Sequence, residues 1–68
     1  MMSVLKIIEI SSVSTESFED AIRKGISRTA KTVRNINVAE IEDQSVTVEE
    51  GQVKEFQVKM KVKFAVQD

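Results

Sequence analysis

The sequence contains neither cysteine nor histidine. These absences exclude disulfides, thiolate chemistry, zinc fingers and any mechanism that uses histidine as an acid or base. Aromatic residues are scarce, since three phenylalanines are the whole set, and 10 basic against 11 acidic residues give a net charge of −1. We therefore do not expect nucleic-acid binding, which needs a basic surface and often uses aromatic stacking.

Long apolar segments are also missing. No run approaches the roughly 20 residues that span a membrane. The opening segment, MMSVLKIIEISS, lacks the basic start and the small-residue cleavage site of a signal peptide. We therefore expect a soluble, cytoplasmic protein with no membrane partner.

The length of 68 residues predicts a single domain over residues 1–68. A domain of this size buries only about 60% of the surface that its unfolded chain exposes, so it needs a further source of stability. Disulfides, metals and oligomerisation are the usual sources. Because cysteine and histidine are absent, we expect self-association.

The first part of the chain predicts a strand and then a helix. Residues 3–11, SVLKIIEIS, are rich in β-branched side chains, which is typical of a strand. Ser14 is the predicted N-cap of a helix of roughly 20 residues, because acidic residues follow it, and Asn35 is the predicted left-handed cap. Gly25 inside this helix costs about 1 kcal/mol relative to alanine and predicts a close approach by a strand. The apolar stripe of the helix is Phe18, Ile22, Ile26, Ala30 and Val33.

The second part predicts a hairpin. Residues 38–48, VAEIEDQSVTV, and 55–67, EFQVKMKVKFAVQ, alternate between apolar and polar residues, and EEGQ forms the turn between them. Directly opposed residues share a face of a sheet, so we expect the lysines to pair with acidic residues of the neighbouring strand rather than to bind phosphate. A tight turn at Glu50 and Gly51 pairs Glu42 with Lys59, Glu40 with Lys61, Gln44 with Gln57, Ala39 with Val62 and Ile41 with Met60.

The order strand, helix, strand, strand predicts an α+β fold. The crossover helix makes the first two strands parallel, so the simplest sheet is three-stranded, with order 1-3-2, antiparallel pairing and the helix on its apolar face. The strands span roughly 40 Å and the helix about 30 Å. One helix cannot cover such a sheet, and we expect other copies of the chain to shield the remainder.

Three segments together carry a resemblance to a known family. IIEI before the helix, INVAEI after it and EFQVKMKVKF near the end resemble the dodecins in order, spacing and length. The resemblance implies a hollow homododecamer with its helices outside and the polar face of the sheet toward the cavity. It also implies that flavins, riboflavin or FMN, bind in pairs near twofold axes for storage or quenching rather than turnover.

The resemblance assigns ligand roles to particular positions. Gln57 matches a glutamine that hydrogen-bonds the flavin edge, and Val38 stands where a tryptophan stacks on the ring. Together with Gln44, these are the predicted cofactor-binding residues. Loss of an aromatic stacking partner is worth about 1–3 kcal/mol, so we expect affinity to be weaker by tenfold to a hundredfold. Many bacterial members also carry phosphate-holding arginines where Ser45 and Ala65 stand here, which argues against strong FMN binding.

A cage that binds calcium or another cation is the alternative. Members without the tryptophan resemble a branch described as calcium-binding, although no loop here has the spacing of a dedicated calcium site. The possible oxygen ligands for calcium are Glu40, Glu42, Asp43, Glu49 and Glu50. None of them is assigned as a metal ligand.

An enzyme is not expected, because no pair of nucleophile and base is visible.

Overall fold

The computed structural model describes residues 4–66, which form one helix and three strands. Both strand pairs are antiparallel and the sheet order is β1-β3-β2, which confirms the predicted α+β fold with order 1-3-2. The elements are β1 (Val4–Ser14), α1 (Phe18–Thr29), β2 (Ile36–Glu49) and β3 (Gln52–Val66).

The turn between β2 and β3 has two residues, as predicted. Glu50 and Gly51 both adopt positive φ, 52° and 74°. Two successive left-handed residues match the right-handed twist of the flanking strands, which makes this turn the favoured connection of a tight hairpin. The long β2–β3 hairpin is therefore fixed locally by its turn.

The helix begins later than predicted, and its N-cap is Ser17 rather than Ser14. The Ser17 hydroxyl accepts a hydrogen bond from the backbone N–H of Asp20 at 2.9 Å. Ser14 stabilises the turn before the helix instead: its hydroxyl accepts from the backbone N–H of Glu16 at 2.9 Å and donates to the Asp20 carboxylate at 2.6 Å. The pKa of Asp20 is lowered by this bond from Ser14 and by the ion pair with Lys24.

The helix also ends earlier than predicted, at Thr29. The N–H of Lys31 bonds to the carbonyl of Arg28 and that of Thr32 to the carbonyl of Thr29, so the chain tightens into a turn. Asn35 is left-handed, with φ of 63°, as predicted, but it leads into β2 and does not cap the helix. The cluster of β-branched residues around Thr32 has low helix propensity, which explains the early end.

The core lies between α1 and the central strand. Ala21, Val58 and Met60 are fully buried, and partly buried residues of the helix and of the outer strands pack around them. Gly25 lies against β1, because a Cβ placed there would meet Ser12 Cβ at 2.9 Å and Met60 Cε at 3.0 Å. The close approach predicted for Gly25 is confirmed.

One helix covers only part of this sheet. The 12 residues of α1 span about 18 Å, whereas the chain extends over 54 Å. The hairpin beyond the helix leaves Val46, Val48 and Val53 exposed, the last two by 61% and 51%. The predicted mismatch between helix and sheet is therefore larger than the sequence indicated.

Candidate functional site: the polar face of the sheet

The side chains of β3 alternate between two faces. Val58, Met60 and Val62 lie fully buried on the side of α1, which we call the helix face. The opposite side, the polar face, is formed by residues 57, 59, 61, 63 and 65 of β3 and by the residues of β1 and β2 that pair with them. Three of these β3 residues are lysines, so this is the surface on which charged and hydrogen-bonding groups gather.

Bulges change the predicted register between β2 and β3. Glu42 is an extra residue on β2 and Lys54 an extra residue on β3, so the pairing between them is displaced by one residue. The predicted pairs of Glu42 with Lys59 and of Gln44 with Gln57 are therefore wrong. The predicted pairs outside the displaced segment are confirmed: Glu40 with Lys61, Ala39 with Val62 and Ile41 with Met60.

The displaced register separates the two glutamines. Gln57 pairs with Ser45 and lies on the polar face, whereas Gln44 pairs with Val58 and lies on the helix face. The register that made Gln44 a neighbour of Gln57 is thus incorrect, and the two amides point to opposite sides of the sheet. Alternation alone does not reveal this, because one inserted residue reverses the face of every residue beyond it.

The lysines of the polar face pair with carboxylates, as predicted, but through different partners. Lys61 Nζ lies 3.2 Å from Glu42 Oε2, and Lys63 Nζ lies 3.2 Å from Glu40 Oε1. The hydrogen bond that Lys61 donates to the Glu42 carboxylate raises the pKa of Lys61. Lys59 makes a longer contact, 3.9 Å, with Glu9 on β1. Each lysine of this face is therefore neutralised from a neighbouring strand.

Gln57 is the middle residue of a rung, which is a row of three paired residues with one from each strand. Val13 of β1 pairs with it on one side and Ser45 of β2 on the other. Its side chain is half-buried, and no hydrogen bond to it forms within residues 4–66. A free amide presents a donor and an acceptor side by side, which suits a ligand edge with the complementary pair. Sequence reasoning missed Val13, because only the pairing of β1 with β3 brings it to this rung.

Val38 lies on the same face but at a distance from Gln57. It pairs with Lys63, and Ile7 of β1 pairs with Lys63 from the other side. Val38 is 48% exposed and Ile7 is 55% exposed, so this end of the polar face is open and apolar. The six residue steps from Gln57 to Lys63 separate the two positions by about 20 Å. One chain therefore does not bring Val38 and Gln57 to the same ligand ring.

The described part of the chain provides no evident metal centre. No group of three or more acidic side chains is arranged to hold an ion between residues 4 and 66. Two of the possible calcium ligands, Glu40 and Glu42, are engaged by lysines. Within the same residues, the helix is too short and too polar to cross a membrane.

Three antiparallel strands in the order 1-3-2, one crossover helix and an open polar face define a class of small α+β subunit. The model of the family Dodecin matches residues 4–67. The chain belongs to the dodecin family.

Known dodecins resemble this chain over nearly their whole length. A dodecin of Thermus thermophilus is 34% identical over 68 residues, which is 100% of this chain and 99% of the relative. The solved structure of a Streptomyces davaonensis dodecin is 30% identical, with a TM-score of 0.92 and 97% of each chain covered. The calcium-chelating dodecin of Mycobacterium tuberculosis is also 30% identical, with a TM-score of 0.82 over 96% of this chain and 93% of that one.

Proposed function

We propose that this chain assembles into a hollow homododecamer that binds a flavin, riboflavin or FMN, and stores or sequesters it. The observation that carries the proposal is the half-buried amide of Gln57, which lies unpaired on the polar face within the described residues. Membership of the dodecin family supports the same reading. We propose that the protein is cytoplasmic and that it does not catalyse a reaction of the flavin.

Assembly would complete the ligand site. Because Val38 and Gln57 lie about 20 Å apart along β3, a ring that contacts both must lie between two copies of the chain. The open apolar end at Ile7 and Val38 would then contact the face of the ring, while Gln57 of a neighbouring copy would hydrogen-bond its edge. Oligomerisation and ligand binding are therefore parts of one proposal.

Exposed apolar surface supports the assembly. Leu5 and Ile7 are exposed on the polar face, and Val48 and Val53 are exposed on the helix face of the hairpin. A soluble monomer seldom leaves so much apolar surface in contact with water for a chain of this size. Light scattering on the purified protein should give about twelve times the 7.6 kDa chain mass. A monomer at micromolar concentration would contradict the proposed assembly.

We propose that flavin affinity is weakened by Val38. A valine contacts a ring by dispersion but offers no extended aromatic surface, and stacking on such a surface is worth about 1–3 kcal/mol. Titration of riboflavin with the protein, followed by the quenching of flavin fluorescence, tests binding directly. Quenching should saturate in the micromolar range. The absence of quenching at tens of micromolar protein would contradict flavin binding.

Calcium binding is the second candidate, favoured by the likeness to the calcium-chelating dodecin of Mycobacterium tuberculosis. Asp43, Glu49 and Glu50 would be available for such a site, since they make no ion pair within residues 4–66. Against it, calcium requires six to eight oxygen ligands, and the other acidic residues of β2 already contact lysines. Calorimetry with calcium at physiological salt tests this candidate. A titration with no heat of binding would contradict calcium binding.

A further inference from the structure

The β2–β3 hairpin projects beyond the rest of the subunit. β1 ends at Ser14, which pairs with Phe56, so within residues 4–66 the segment 47–55, which we call the arm, has no third strand beside it. Val48 and Val53 pair with each other on the helix face of the arm and are exposed by 61% and 51%. A two-stranded hairpin alone is only marginally stable in water. The apolar face of the arm therefore calls for a partner surface.

The arm is also acidic. It contains three glutamates and one lysine, which give it a net charge of −2. Glu49 and Glu50 at its tip are exposed, and neither makes an ion pair within residues 4–66. An apolar surface bordered by carboxylates is complementary to an apolar surface bordered by cations.

A surface of that kind lies at the other end of the subunit, and we call it the basic end. Residues 21–39 contain five basic side chains and no acidic one. Arg23 and Lys24 reach back to carboxylates one turn earlier, whereas the other three are exposed and make no ion pair within residues 4–66. Next to them, Val4 and Val66 pair on the helix face and are exposed by 51% and 36%. The three bases are Arg28, Lys31 and Arg34.

One subunit does not bring the arm and the basic end together. α1 begins beside the arm, where the ring centroids of Phe18 and Phe56 lie 5.1 Å apart. The chain after α1 reaches the opposite end of β3, where the Ala65 N–H donates to the Asn35 carbonyl at 3.1 Å. The nine residue steps from Phe56 to Ala65 separate these points by about 30 Å. Complementary surfaces at opposite ends of a subunit favour a head-to-tail contact between two copies, which closes into a ring when the rotation permits.

We propose, on the basis of the assembly proposed above, that the arm of one copy docks on the basic end of a second copy. The apolar residues of the arm then lie against the apolar part of the basic end, and the glutamates of the tip approach its three bases. Gln57 lies only two residues beyond Glu55, the last residue of the arm. The contact therefore places a boundary between copies next to the amide on which the proposed ligand site depends.

Reversing the charges tests the contact. The size of the assembly is followed by light scattering in increasing urea, at low salt and fixed protein concentration. Glu49→Lys with Glu50→Lys, and separately Lys31→Glu with Arg34→Glu, should each lower the urea concentration of dissociation by roughly 0.5 M, because attraction becomes repulsion. All four changes in one chain should restore most of the loss, since the two surfaces are complementary again. A mere defect in folding would accumulate instead of cancelling.

Two further variants separate the contributions of charge and apolar surface. Glu16→Lys with Glu19→Lys is the matched control, because it makes the same change in net charge at exposed positions outside the arm; it should shift dissociation by less than half as much. Val48→Thr with Val53→Thr keeps the shape and strand preference of both residues. These valines are exposed in the single subunit, so the change should weaken the assembly while leaving the circular dichroism of the subunit unchanged.

The outcomes separate this inference from the proposed assembly. If the wild type is assembled and both charge reversals dissociate at its urea concentration, the docking of the arm is overturned while the assembly stands. Failure of the fourfold variant to recover, or a shift of the control as large as that of the arm variant, would also overturn the docking. A wild type that is a monomer at low salt would overturn the assembly, and the docking with it.

Discussion

Replacing Gly25 with alanine tests how closely α1 lies on the sheet. Alanine is the better helix former by about 1 kcal/mol, so the substitution would stabilise an unobstructed helix. Here the new Cβ would meet Ser12 Cβ at 2.9 Å and Ser12 Oγ at 3.0 Å. Ser12 Cβ is fixed by the backbone of β1 and cannot rotate away, and overpacking of this kind costs typically 1–3 kcal/mol. We expect a net loss of about 1 kcal/mol, or about 4–8 °C in Tm.

Chemical denaturation at a fixed protein concentration measures this loss, since stability depends on concentration when the chain self-associates. Ser27→Ala is the control: Ser27 is exposed on the same helix, and alanine there should stabilise by a few tenths of a kcal/mol. The double variant with Ser12→Gly removes the obstructing atoms and should show a favourable coupling of about 1 kcal/mol. A Gly25→Ala protein more stable than the wild type would refute the close approach.

Three further predictions concern the helix start and the ligand face. Ser17→Ala removes the acceptor of the Asp20 N–H and should cost about 1 kcal/mol in denaturation experiments, whereas Thr15→Ala, at an exposed position, should cost less. The pKa of Asp20 is lowered from 3.8 chiefly by the Ser14 hydrogen bond. The ionised Asp20 carboxylate therefore stabilises the fold above pH 3.8, and this stabilisation is lost as the pH falls below that value. Asp20→Asn should flatten this part of the acid unfolding curve, and an unchanged curve would contradict the assignment. Val38→Trp should tighten riboflavin by about tenfold to a hundredfold in the quenching titration, and an unchanged affinity would show that no ring contacts this position.

The sequence predicted the features that depend on local chemistry. The alternation of β3 and the residues Glu50 and Gly51 determined the hairpin, and the crossover helix determined the order of the strands. Gly25 correctly indicated the contact with β1. Each of these depends on the conformational preference of a residue or on a periodic pattern, which are visible without the structure.

The ends of the helix were harder to predict, because competing signals lie close together. Ser14 and Ser17 are both suitable N-caps, and only the structure shows that Ser14 bonds to the Asp20 side chain while Ser17 bonds to its backbone. The apolar stripe continues through Ala30 and Val33 although the helix has ended. The chain turns toward β2 after Thr29, so the helical pattern of the sequence extends beyond the helix itself.

The candidate site was predicted only in part, because bulges are not visible in a pattern of alternation. The extra residues Glu42 and Lys54 move Ser45 next to Gln57 and turn Gln44 to the helix face. They also exchange the partners of the lysines, so that Lys61 contacts Glu42. The lysines and carboxylates of the polar face were predicted correctly, whereas the position of Gln44 and the pairing that determines the neighbours of Gln57 were not.

The glutamines on opposite faces allow the most direct test of the proposal that the polar face holds the ligand. Riboflavin is titrated with the wild type, with Gln57→Leu and with Gln44→Leu, and the quenching of its fluorescence is measured. We predict that the wild type and Gln44→Leu quench at similar protein concentrations and that Gln57→Leu requires roughly tenfold more, because the ring edge loses its hydrogen-bond partner. Equal binding by Gln57→Leu and the wild type would contradict the proposal, and so would the absence of quenching by the wild type.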